Sequence, residues 1–113
     1  YLDEARAHKS ILCVEIGLES TRNAHIAEIF RRIDEETLDA FRQLFARLAA
    51  EGRIAPALDI DAVTAVFAIL GDGLFWRRAV HPKFAQRETM PALMATIRQL
   101  LNPVETASKD DAP

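Results

Sequence analysis

Ile26, Phe30, Ile33, Thr37, Phe41, Leu44 and Leu48 recur at steps of 4, 3, 4, 4, 3 and 4. That spacing keeps one side of an α-helix apolar, whereas a strand alternates its faces every second residue. Ile29, Leu38 and Phe45 widen the stripe. Asn23 stands before it, and its side-chain oxygen suits the free amides of a first helical turn. Gly52 stands just past it, where a left-handed residue ends a helix. The spacing predicts one helix from Ala24 to Ala50, about 40 Å long at 1.5 Å per residue. No other segment shows strand alternation, so such a rod is covered by further helices.

Three more segments show helical periodicity. The first runs from about Leu2 to Arg22, with Ala5, Ile11, Leu12, Ile16, Gly17 and Leu18 among its apolar or small positions. Pro56 blocks helix continuation after Gly52. Asp59 then offers a second N-cap, and Leu58 and Val63 have the spacing of a hydrophobic staple. The helix that follows spans about Ile60 to Val80. Val63, Val66, Phe67, Leu70 and Leu74 lie on one side, and Ala62, Ala65, Ile69 and Gly73 on others. A helix apolar nearly all round is covered on all sides. In a chain of 113 residues, one covering surface is expected to belong to a second subunit. His81-Pro82 ends this helix. The fourth begins between Gln86 and Thr89, with Pro91 expected in its first turn. Met90, Leu93, Met94, Ile97, Leu100 and Leu101 form its apolar face, and Asn102-Pro103 stops it. The fold class is all-α, a bundle of about four main helices over residues 1–103, with a polar, disordered tail over 104–113.

Composition narrows the function. The formal net charge is −3, which disfavours a free-standing nucleic-acid binder because phosphates need clustered Lys and Arg. One cysteine excludes an internal disulfide framework and a cysteine-based zinc site. No apolar run approaches the ~20 residues of a membrane helix. No signal peptide is visible, so the expected setting is the cytoplasm. The opening YLDEARAHKS has neither an initiator Met nor a cap, and predicts a fragment whose N-terminal neighbour is missing.

Few residues suggest chemistry. His25 and Glu28 share a helix side, but a metal site needs three or four ligands, so no metal is expected. His81 at a helix C-terminus is explained by the dipole. Cys13 lacks a suitably spaced base and reads as a buried small hydrophobe, lining a cavity at most. Glu15 reads as solvated, the alternative being a buried Glu15 that holds a cationic ligand, and Arg22 relieves Glu19. Gly71-Asp72-Gly73 is no phosphate loop; glycines inside a helix cost about 1 kcal/mol each against Ala, and close helix–helix approach is the expected reason. Trp76 beside Arg77 and Arg78 either anchors an interface or stacks on a ligand. No nucleophile, acid and base converge, so no catalytic residue and no cofactor is assigned.

The runs CVEIGLESTRNAHIAEIFRRID, EGRIAPALDIDAVTAVFAILGDGLFWRRAVHP and LMATIRQLLNP together resemble the C-terminal domain of tetracycline-repressor (TetR) family transcriptional regulators. Glu19 to Asn23, Glu51-Gly52, Asp59 and Asp72-Gly73-Leu74 fall in the family's order, and the likeness covers about Leu12 to Pro103. The betaine-regulator-like branch is one option within it. The resemblance implies a homodimer whose last two helices form an intersubunit four-helix bundle. It also implies a small effector, and DNA binding through an N-terminal helix-turn-helix domain absent from this chain, so the chain alone is expected not to bind operator DNA. Facing alone then nominates Cys13, Ile16, Gly17, Phe30, Phe41, Phe45 and Phe67 for the effector, expected to be hydrophobic or aromatic. For the dimer interface it nominates Phe67, Ile69, Leu70, Gly73, Leu74, Arg77, Leu93, Met94, Ile97 and Leu101. The alternative is a helical dimerisation or protein-docking module without a ligand.

Overall fold

A computed structural model describes residues 2–81 and 86–105. Its elements are α1 (Leu2–Ser20), α2 (Ala24–Ala50), α3 (Ile60–Val80) and α4 (Gln86–Leu101). The described residues contain no strand. They form an all-α bundle, as the periodicity requires. None of these helices is long and apolar enough to cross a membrane.

Local chemistry sets the ends of the helices. Asn23 Oδ1 accepts from the amides of His25 and Ile26 at 3.0 and 3.2 Å, and Asp59 Oδ1 accepts from the Ala62 amide at 2.8 Å. Each satisfies amides that have no partner within the helix. Gly52 has φ +73°, the left-handed conformation its position at the end of α2 calls for. Pro91 departs from expectation. Because α4 starts at Gln86, the proline sits beyond the first turn, inside the helix. The Arg87 carbonyl then has no amide four residues on, and Arg87 is exposed, so water can serve it. Pro82 and residues 106–113 of the expected tail lie outside the described residues.

The core sits where the C-terminal half of α2 meets the start of α3. Phe45, Ile54 and Val63 are buried, with Phe41, Leu44, Leu48, Ile60, Phe67, Leu100 and Leu101 packed around them. Leu58 remains exposed, so Val63 takes its cover from this cluster. Phe41, Phe45 and Phe67 make a ring triad with centroid separations of 6.0, 4.8 and 5.4 Å, distances at which aromatic pairs attract. Buried Thr64 is satisfied by donating to the Ile60 carbonyl at 2.7 Å. Arg42 joins α2 to α3 by pairing with Asp39 and Asp61. Ile54 and Pro103 form an isolated antiparallel bridge. Around it the Ala55 amide donates to the Asn102 carbonyl, and the Val104 amide to the Arg53 carbonyl. The Asn102 side chain adds a bond to the Ala55 carbonyl at 2.8 Å. This clasp fixes the end of α4 against the α2–α3 linker.

Helix α1 packs on α2 and α3, while α4 approaches α3. One side of α3 is left uncovered within the chain. Val66, Ile69, Gly73 and Val80 are exposed there at helical spacing, Ile69 by 67%. A Cβ built at Gly71 or Gly73 would meet nothing within 4 Å. The close approach expected at these glycines is therefore not made among the described residues.

A candidate effector cleft between three helices

The N-terminal half of α2 runs beside α1 and the C-terminal half of α3. Between them lies a solvent-open cleft of about 590 Å³, within the ~300–1,000 Å³ of small-molecule sites. Helix α1 contributes Cys13, Val14, Gly17 and Leu18; α2 contributes Phe30, Ile33, Asp34 and Thr37; α3 contributes Asp72, Phe75 and Trp76. The wall is mostly apolar, with two carboxylates and one hydroxyl set into it.

The residues nominated for an effector separate into two groups. Cys13, Gly17 and Phe30 come together on the cleft wall. Cys13 is exposed there rather than buried, because the cleft is open. Ile16 points elsewhere on α1 and is exposed. Phe41, Phe45 and Phe67 form the ring triad of the core, and Phe45 is only 4% exposed. Inward-facing rings of α2 thus have two destinations: the turns around Phe30 face the cleft, and those around Phe45 face the core. Trp76 stands on the cleft wall.

The nominated interface residues also divide. Ile69, Gly73 and Arg77 are exposed on α3, as is Met94 on α4. Leu70, Leu74, Leu93 and Ile97 are partly buried. Phe67 and Leu101 pack against the core, which leaves less of them to a partner. Val66 and Val80 extend the exposed stripe beyond the nominated set.

Sequence reasoning missed the carboxylates. Asp34 and Asp72 are far apart in the chain and meet only because α2 and α3 pack in one register. A signal existed: after Asp61 in its first turn, Asp72 is the one further acid of α3, inside the apolar and small run from Ala65 to Trp76. Burial raises the Asp72 pKa above its ordinary value of 3.8, and the negative charge of Asp34 raises it further. The consequence has a definite sign. The unfolded chain ionises at lower pH than the folded one, so ionised Asp72 opposes folding. Asp72→Asn is expected to raise the melting temperature at neutral pH. The gain should shrink as pH falls through the raised value and vanish below about 3.8. Thermal melts of both proteins across that range check this; an equal gain at every pH would assign it to something other than the charge.

Among the described residues, no group of three or more His, Cys, Asp and Glu could hold a metal ion. A family model described as BetI-type transcriptional repressor, C-terminal, matches residues 2–102. No curated protein and no solved structure matches the chain.

Proposed function

Because the chain belongs to the family of C-terminal domains of BetI-type transcriptional repressors, we propose that it senses a small effector and holds two subunits together. In this reading it governs DNA binding, as a repressor, by an N-terminal helix-turn-helix domain of the intact protein. The observation that carries the reading is the cleft, which is bounded by α1 on one side and by α2 and α3 on the other. The uncovered stripe of α3 alone would equally suit a docking module without a ligand. Such a module has no use for the aromatic-walled cleft between α1, α2 and α3, whose Trp76, three residues from Gly73 and four from Val80, borders that stripe.

The mechanism follows from the placement. Two helix-turn-helix heads must reach two half-sites about one DNA turn apart, and the dimer sets their separation. A ligand in the cleft touches α1 on one wall and the α2–α3 pair on the other. It therefore favours one setting of α1 over others. It shifts DNA affinity only by the difference in its own affinity for those settings. The Phe30, Phe75 and Trp76 rings suit an effector with an apolar or aromatic body.

Gly17 gives the test. A Cβ at this position would meet nothing within 4 Å, and the residue lines the cleft. Gly17→Phe is expected to fill the cleft and to stabilise the free domain by about 0.5 kcal/mol through helix propensity. Thermal shift with a chemically diverse panel should find ligands for the wild-type chain. At one hundred times Kd a ligand adds about 2.7 kcal/mol, roughly 10 °C of melting temperature. The same compounds should leave Gly17→Phe unmoved. Equal shifts in both proteins would place the ligand outside this cleft.

A further inference from the structure

Trp76 belongs to two surfaces. It stands on the cleft wall, and 49% of it remains exposed. At about 100° per residue, Trp76 falls within about 20° of Ile69 and about 40° of Val80 around α3. It is therefore part of the exposed apolar stripe as well as of the cleft. Phe75 shares the cleft but lies about 100° from Trp76, on the side away from the stripe. Gly73 is exposed on the stripe and does not line the cleft. Of these residues, Trp76 alone is on both surfaces.

We propose that a second subunit completes the cleft through Trp76, so that ligand binding and subunit association strengthen one another. This rests on the cleft being a ligand site and on the stripe being the contact between two copies, both as proposed above, and adds the link between them. A second copy suits the stripe because Val66, Ile69 and Gly73 offer no charge for a partner to read, and a twofold contact covers the same face of both chains at once. In a single chain Trp76 is backed on one side only, and the cleft stays open to solvent. A partner on the stripe covers the outer side of the indole and excludes water from that wall. A ligand in the cleft packs on its inner side. Each holds the ring in the setting that the other needs. Tryptophan fits such a place, since it buries a large area on few rotatable bonds and anchors interface centres. The link is reciprocal: the factor that the ligand adds to association is the factor that association adds to ligand affinity.

A neutral aromatic probe, N-phenyl-1-naphthylamine, tests this. Its binding to the 113-residue chain is read from its fluorescence, and association from sedimentation equilibrium with and without it. Saturating probe is expected to tighten association by about fivefold or more, the lower end of measured couplings between sites. Gly73→Leu, a change on the stripe and outside the cleft, should lower the probe's affinity by a similar factor. Trp76→Ala should weaken both events and leave each without effect on the other. Phe75→Ala should weaken probe binding alone and keep the coupling. Circular dichroism reports that the variants remain folded. A dimer that binds the probe with unchanged association overturns the coupling and leaves both surfaces standing. A probe that loosens the dimer and still binds Gly17→Phe sits on the stripe, and overturns the proposal. A chain that binds the probe yet stays monomeric defeats the reading of the stripe, and a dimer that does not bind it defeats the reading of the cleft. Either result removes the proposal with it.

Discussion

Gly73→Leu is expected to weaken the proposed dimer by about two orders of magnitude or more while leaving each chain folded. Gly73 lies in the middle of the exposed stripe of Val66, Ile69 and Val80 on α3. Among the described residues nothing comes within 4 Å of the Cβ that leucine adds, and leucine is the better helix former by about 1 kcal/mol. Any loss must therefore arise between chains. If α3 meets its symmetry mate there, the added side chain forces the helices apart. Overpacking costs about 1–3 kcal/mol per site, and a twofold interface counts it twice. Sedimentation equilibrium measures the association, and circular dichroism reports the fold. Dimerisation as tight as wild type would move the interface to another face.

Phe45→Ala is expected to have the largest effect on stability. Phe45 is buried against Ile54 and Val63 and is in ring contact with Phe41 and Phe67. Truncating a buried Phe costs about 3–5 kcal/mol, against a total stability of about 5–15 kcal/mol. Only three hydrophobic side chains are buried among the described residues, so no second core compensates. The melting temperature should fall by roughly 15 °C or more. Phe30→Ala makes the contrast. Phe30 stands on the open cleft wall, 39% exposed, and its loss should reduce ligand response with a much smaller change in melting. Similar melting losses for the two variants would contradict the division of α2 into a cleft half and a core half.

That division also marks the limit of what the sequence discloses. The bounds of α2 and α3, and their caps at Asn23 and Asp59, were legible because the signals are local. Periodicity shows that Phe30 and Phe45 face inward. It does not show that inward means a cleft for one and the core for the other, because that depends on where α1 and α3 cross α2. The Asp34 and Asp72 pairing depends on the same crossing. Gly71 and Gly73 suggest a close approach, and the structure adds that none of the described residues makes it. The position of Pro91 was misread because the start of α4 carries no strong cap, and an exposed carbonyl makes a proline tolerable one turn further in.

The uncovered stripe, the glycines and the family all bear on one question, whether two copies of this chain join through α3 and α4. Native mass spectrometry of the unmodified chain answers it most directly. The expected result is a species near twice 12.6 kDa at micromolar concentration, with any further mass marking a ligand carried in the cleft. A monomer throughout that range would contradict the proposed dimer and leave the exposed face of α3 to some other partner.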